Sequence, residues 1–325
     1  RDIKQQALED NFERIARVKP ATWLEPMSGP AWHYRRRARL AVKDVHGKGR
    51  VLVGFRERHA PFITDMHRCE ILAEPVHELI DALSDLVGAL SIRARLPQVE
   101  VSVADNATAL VFRVLDPPTA DDEARLREFG ERHDVRVYLQ PGGLDSVGLF
   151  YPETAMDPLH YELPEFDVSI AFDPVGFVQV NRDINQRMVH RAVEMLAPGP
   201  RDRVLDLFCG IGNFTLPLAL HAASVVGVEG DAGLVERARL NAERNTIANA
   251  EFFAADLYGE LRAEPWMERR FEKVLLSTGT LHMLKARWAT DLPAFDGLGI
   301  QISYLTGENG VAASLMAYPD PSVGG

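Results

Sequence analysis

The pattern of apolar and polar positions changes character partway along the chain. From Tyr34 to Val45 and from Arg50 to Arg56 apolar and charged residues alternate, with His46-Gly47-Lys48-Gly49 between the runs, which predicts a β-hairpin with several arginines on one face. Residues 3–16 place Ile3, Ala7, Phe12 and Ile15 roughly on one side of a helix, and Pro20, Pro26 and Pro30 then mark a loop. Ala73 to Leu90 has helical spacing. Glu100–Ala104 and Ala107–Val114 read as a strand pair, Asp121–His133 as a helix and Val135–Leu139 as a further strand. Paired strands with helices between them predict an α+β domain with an antiparallel sheet over residues 1–170.

Beyond it the pattern becomes α/β. Pro164–Phe172 leads into Phe177-Val-Gln-Val-Asn181, and Asn181 is placed to cap a helix carrying Ile184, Met188, Ala192 and Met195 on one side, which Pro198-Gly199-Pro200 stops. Strand, helix, strand, helix and strand follow from Val204 to Ala255, an order that predicts a right-handed parallel sheet, with Phe271–Leu276 as its next strand. The expected second unit is therefore a Rossmann-like domain over residues 171–325. It is atypical after Leu276, where Gly297, Gly299, Gly307 and Gly310 punctuate the tail and βαβ order is lost.

Arg203–Leu218 is the stretch around which the second unit is organised. A buried strand, Val204–Phe208, runs into a turn carrying Gly210 and Gly212, and an amphipathic segment opens near Asn213. Glycine reaches positive φ without steric cost, and a helix start offers unpaired N–H groups to a polar ligand. A dinucleotide fingerprint wants a third glycine where Thr215 stands, and Asp206 sits inside the strand; both favour S-adenosylmethionine over NAD. Glu229, at the end of the strand Ala223–Val228, is placed to accept hydrogen bonds from ribose hydroxyls. Asp256, after Glu251–Ala255, is placed to read an adenine edge.

Composition narrows the partners. The 325 residues carry a net charge of −11, which is unfavourable for phosphate binding by the chain as a whole. The basic residues cluster early, however, from Arg35 to Arg68, so a local basic surface remains compatible with an acidic protein. No apolar run approaches the roughly 20 residues of a membrane helix, and no secretory signal opens the chain. Cys69 and Cys209 alone cannot form a disulfide framework, and a cytoplasmic monomer is expected. The chain opens on Arg1 without methionine, so further sequence is expected upstream. His33, His59 and His67 lack the spacing of a metal site and read as surface or RNA-facing residues.

Tyr34-Arg-Arg-Arg-Ala-Arg-Leu40, Phe177-Val-Gln-Val-Asn181, the Leu205–Leu218 corner and Val225-Val-Gly-Val-Glu-Gly230 together resemble the bacterial RNA uracil-5-methyltransferases, in particular those acting on 23S ribosomal RNA. The resemblance covers residues 1–276. It implies an S-adenosylmethionine-dependent enzyme whose donor contacts fall on Gln179, Phe208, Asn213, Glu229 and Asp256, beside Gly210 and Gly212 of the turn. Arg35, Arg36, Arg37 and Arg39 would face RNA, and Phe177 would stack on a flipped uracil.

The same resemblance exposes departures. The family carries a four-iron, four-sulfur cluster on four cysteines; Cys69 matches the fourth, and the other three and the RNA-binding barrel before them are absent, so no cluster is expected. The family adds a cysteine thiolate to C6 of uracil so that C5 can attack the methyl group. Here no cysteine follows Cys209, and Ser277 stands where the family Asp-Pro stretch begins, so no catalytic residue is identifiable. The expectation is that family sequence ends at Leu276, through a frame change, and that the chain is impaired or inactive. A catalytically silent protein holding cofactor and RNA is the alternative; an amine-directed RNA methyltransferase is a third reading, weakened because Ser277-Thr278-Gly279-Thr280 lacks the motif such enzymes carry.

Overall fold

The computed structural model describes residues 2–16, 23–154, 157–259, 264–278, 298–307 and 310–319. A helix α1 (Asp2–Asp10), continued by one π turn to Ala16, opens the chain. The first sheet contains β1 (Arg37–Val45), β2 (Arg50–Gly54), β3 (Gln98–Val103), β4 (Thr108–Arg113), β5 (Val135–Gln140) and β6 (Gly148–Tyr151), in the order β2-β1-β3-β4-β5-β6. It is antiparallel except for the pair β4 and β5, which are parallel because helix α3 (Ala120–His133) carries the chain between them. Helix α2 (Leu79–Ala89) and α3 cover one face and bury Leu40, Val53, Leu83, Val99, Phe112 and Leu126 beneath them.

The second sheet has the order β11-β10-β9-β12-β14-β13, from β9 (Arg203–Leu207), β10 (Ser224–Glu229), β11 (Ala250–Ala254), β12 (Lys273–Thr278), β13 (Leu298–Gly307) and β14 (Gly310–Pro319). Strands β11, β10, β9 and β12 run parallel, as the βαβ order requires. Their near-continuous apolar sequences reflect burial on both faces. Val204 and Val225 enter one core, with helices α4 (Arg182–Leu196), α5 (Thr215–Ala219) and α6 (Ala232–Arg244); Leu205, Leu207, Val226 and Val228 enter the opposite core with Trp266.

Several boundaries differ from the pattern. The helix expected from Ala73 begins at Leu79, after a 3-10 turn at Val76–Glu78 whose N-cap is Pro75. Pro164–Phe172, read as a lead-in, forms part of a hairpin of β7 (His160–Leu163) and β8 (Val168–Ala171), whose strands are too short for a period-two signal. Asn181 does cap α4, accepting from the Ile184 N–H at 3.0 Å. After Leu276 the described residues form an antiparallel hairpin, β13 and β14, added to β12 rather than a βαβ unit. Among the described residues no helix is long and apolar enough to cross a membrane.

Candidate functional site

At the C-terminal edge of the parallel strands the chain leaves β9 through a tight turn. Phe208, Gly210 and Gly212 have φ of 61°, 55° and 94°. Phe208 adopts this left-handed conformation at a steric cost, and the Cys209 N–H, bonded to the Val228 carbonyl at 3.1 Å, helps hold it. A Cβ at Gly212 would lie 3.2 Å from Leu216 Cγ, whereas one at Gly210 would meet nothing within 4 Å. Gly210 thus opens on free space, while Gly212 lets the turn close on α5.

Glu229 ends β10 beside this turn. Its Oε2 accepts the Gly210 N–H at 3.1 Å and its Oε1 accepts the Gly230 N–H at 2.8 Å. Backbone pairing of Ala255 N–H with the Glu229 carbonyl, at 3.0 Å, then sets Asp256 alongside. Asp256 is exposed, its Oδ1 accepting the Tyr258 N–H at 3.0 Å, and the Tyr258 ring lies 5.7 Å from that of Phe208. The fold therefore gathers Phe208, Gly210, Glu229 and Asp256 on one edge of the sheet.

Asn213 is held more tightly than its loop position predicts. Its amide forms a reciprocal pair with Asn185, at 2.9 and 3.0 Å, and its Oδ1 also accepts the Tyr161 hydroxyl at 2.9 Å. Burial pushes the Tyr161 phenol well above its usual pKa, so the hydroxyl remains a donor. Asn241 is completely buried and donates to the Ala171 and Ile211 carbonyls at 3.1 and 3.0 Å, anchoring the glycine turn to β8. Sequence reasoning passed over Asn185, Tyr161 and Asn241. The available signal was a polar residue on an otherwise apolar helix face: Asn185 beside Met188 and Val189, Asn241 beside Ala238 and Ala242.

Beneath the turn, Asp206 is fully buried in β9. Burial drives its pKa up to about 7, opposed by the Thr215 hydroxyl, which donates to Oδ2 at 2.6 Å, and reinforced by the nearby Glu229 charge. Its Oδ1 has no hydrogen-bond partner. Burial also raises the Cys209 thiol well above its usual pKa, with Asp206 and Glu229 adding to the effect, so Cys209 is a packing residue rather than a nucleophile.

The remaining candidates lie apart from this edge. Gln179 is half-buried on the segment entering α4, and among the described residues it makes no hydrogen bond to the turn. Phe177, two residues earlier, is 73% exposed. The arginines do not form one open surface. Arg36 pairs with Asp105, and Arg37 reaches Glu100, Ser102 and the Pro174 carbonyl; their side chains are only 12% and 15% exposed. Arg39 shares Glu100 at 3.0 Å but remains 65% exposed, and Arg35 is half-buried with its Nε unpartnered. Ser277 pairs with Ser314 across β12 and β14. Cys69 is half-buried against the α2 core while Cys209 packs in the core of the second sheet, so the chain's two cysteines do not fit a four-thiolate cluster. His33 is exposed, and the fold also sets it against His77 and Glu74, distant in sequence, a grouping its sequence spacing did not show.

Comparison with known proteins adds to this geometry. A family model described as tRNA (Uracil-5-)-methyltransferase matches residues 3–274. The 23S rRNA (uracil(1939)-C(5))-methyltransferase RlmD of Methylococcus capsulatus is 49% identical over 286 residues, covering 87% of this chain and 64% of that protein. The enzyme of the same name from Cupriavidus necator is 49% identical over 262 residues, covering 81% of this chain and 59% of that protein. The chain thus spans less than two thirds of the length of these relatives. Among solved structures, the tRNA (uracil-54, C5)-methyltransferase of Pyrococcus abyssi in complex with S-adenosyl-L-homocysteine superposes with a TM-score of 0.69 at 18% identity, covering 97% of this chain and 82% of that one; this establishes a shared fold.

Proposed function

The chain belongs to the tRNA (uracil-5-)-methyltransferase family, and we propose that it serves S-adenosylmethionine-dependent methylation of C5 of a uridine in 23S ribosomal RNA by supplying the donor site. The observation that carries this reading is the joined edge of β9, β10 and β11, where Glu229 is tied to Gly210 and leads directly to Asp256. Glu229 is positioned for ribose hydroxyls, Asp256 for the adenine edge, Phe208 for the face of the base, and Gly210 leaves room for close approach. Asn213, stiffened by Asn185 and Tyr161, and Gln179 would complete the donor contacts. The donor supplies an electrophilic methyl group; the residues here orient it and exclude water from its buried side.

The RNA is the class of substrate named for the relatives, and the reading assigns Arg39 and Phe177 to its surface, both exposed. Arg36 and Arg37, engaged in ion pairs, would support that surface from beneath, beside Arg35. We take the chain as a cytoplasmic monomer of two units, and the β7–β8 hairpin, which shares its core with the second sheet, moves their division from near residue 170 to just before β7. A second reading, a silent protein that binds donor and RNA without turnover, is favoured by the burial of Cys209, whose thiol is shut away from any substrate.

Incubation with labelled S-adenosylmethionine and unmodified 23S RNA fragments, with 5-fluorouridine RNA as a trap, tests both. Methyl transfer to C5 supports the first reading and binding without transfer the second. Failure to bind S-adenosylhomocysteine in calorimetry would overturn the donor site on which both depend.

A further inference from the structure

Away from the donor edge, two histidines and a glutamate distant in the sequence meet at one place. His33 lies in the loop before β1; Glu74 and His77 lie on the segment that leads into α2. One ligand atom from each falls within 4.8 Å of the other two. The imidazole rings of His33 and His77 stand edge to face, with centroids 4.5 Å apart at 80°.

Three details point beyond a chance surface cluster. First, His77 is only 8% exposed, and its buried Nδ1 has no hydrogen-bond partner. Glu74 Oε2 lies 2.9 Å from that nitrogen, close enough for an ion pair with a protonated imidazole, yet the contact does not meet hydrogen-bond geometry and leaves a neutral ring's Nδ1 unsatisfied. Buried polar atoms are almost always satisfied, and an orphan calls for an unseen partner. Second, His33 holds a left-handed backbone with φ of 54°, costly for a residue with a Cβ, and its N–H bonds to the Glu70 carbonyl at 2.8 Å. Third, the Leu72 carbonyl lies 3.3 Å from His33 Nδ1, the kind of backbone contact that orients a metal-ligating imidazole.

We propose that His33, Glu74 and His77 form a binding site for a divalent transition-metal ion of the zinc class. Two imidazoles and one carboxylate are a borderline-soft donor set that suits zinc and disfavours magnesium or calcium, which prefer all-oxygen shells. Tetrahedral zinc with bonds near 2.0–2.2 Å separates its ligand atoms by roughly 3.3 Å, close to the His77–Glu74 approach. Water completes the shell on the exposed side. The ion would staple the loop before β1 to the segment entering α2, two stretches already joined by the backbone bridge between Arg35 and Leu72. Cys69 adjoins the site, its N–H bonded to the His77 carbonyl at 3.0 Å, but its sulfur is not among the donors.

The test is titration of the metal-stripped full chain with zinc against a chromophoric chelator, and with cobalt(II) as a spectroscopic probe. One equivalent should bind, with a tetrahedral cobalt spectrum lacking any sulfur charge-transfer band, and zinc but not magnesium should raise the melting temperature. His33→Ala and Glu74→Gln, both on exposed residues, should each weaken zinc binding at least tenfold without lowering the melting temperature of the metal-free chain. Cys69→Ser should bind as the parent does. Absence of stoichiometric binding, binding unchanged in the His33→Ala/Glu74→Gln double variant, or a thiolate band lost with Cys69→Ser would each overturn the proposal.

Discussion

Glu229 Oε2 accepts the backbone N–H of Gly210 at 3.1 Å, so the acidic end of β10 and the glycine turn after β9 form one unit. The carboxylate spends one oxygen on Gly210 and the other on Gly230 and Asp231, whose N–H groups lie 2.8 and 3.4 Å away. A ligand hydroxyl approaching this edge meets a carboxylate already fixed in direction, so little ordering entropy remains to be lost on binding.

Glu229→Ala should therefore weaken S-adenosylhomocysteine binding by more than tenfold in calorimetry. Glu229→Gln keeps an acceptor for Gly210 but loses charge and should fall between. Because the turn also loses N–H bonds to a carboxylate, Glu229→Ala should cost about 2 kcal/mol of stability in urea unfolding. Equal affinity in all three proteins would remove Glu229 from the donor site.

Asp206 makes a second prediction, through pH. Its pKa is raised to about 7 in the fold against an ordinary 3.8, so the folded protein binds a proton more readily than the unfolded chain. The associated stabilisation is complete below pH 3.8 and fades as pH rises through 7; the shift corresponds to something on the order of 4 kcal/mol. Asp206→Asn removes this titration while keeping an oxygen for Thr215. Stability of the variant measured from pH 5 to 8 should slope less steeply downward than that of the parent, and above pH 8 the variant should be the more stable. Parallel curves would contradict the protonation of Asp206.

Much of the donor edge is legible in the sequence, and the reason is local. The apolar run of β9, the turn glycines and the acids ending β10 and after β11 are set by short-range rules of strand burial and chain reversal, so Glu229 and Asp256 could be picked from the sequence. What the sequence did not show was long-range. The arginine run of β1 looked like an RNA face because nothing nearby in sequence neutralises it; Asp105 and Glu100, which engage Arg36 and Arg37, arrive through β3 and the turn after it. The partners of Asn213 were hidden for the same reason, since Asn185 and Tyr161 come from α4 and β7. His33 and His77 are 44 positions apart, and only the register of the loop before β1 against the segment entering α2 brings them together.

Asp122 predicts the acid limb. It closes a capping box at the start of α3 with Thr119 and accepts the Ser91 N–H and hydroxyl at 2.8 and 2.5 Å. Burial alone would raise its pKa, but the hydrogen bonds from Ser91 and Thr119 outweigh burial and hold it down to about 2. Stability from this group is thus present above pH 3.8 and lost as pH falls through 2. Asp122→Ala should cost about 2 kcal/mol at pH 7 through the lost cap and the orphaned Ser91 donors. The difference from the parent should shrink in unfolding experiments taken toward pH 2; a constant difference would show that the ionised carboxylate is not the source.

Arg37 and Arg39 share Glu100 and should nonetheless behave in opposite ways. Arg37 is sequestered between Glu100, Ser102 and the Pro174 carbonyl, linking β3 to the segment before α4, whereas the Arg39 side chain is 65% exposed. Removing the buried partner leaves polar groups unsatisfied, so Arg37→Ala should cost about 3 kcal/mol in chemical denaturation. Arg39→Ala should cost under about 1 kcal/mol, as exposed pairs do. If Arg39 meets phosphate, its loss should weaken binding to 23S RNA fragments about equally across sequences and lower the slope of log affinity against log salt by about 1. Arg37→Ala, measured at a temperature where it remains folded, should keep the parent slope, because a guanidinium held by its own protein releases no counterion from RNA. A reduced slope in Arg37→Ala, with Arg39→Ala unchanged, would mean that the buried pair opens to the nucleic acid and that Arg39 is only a solvated rim.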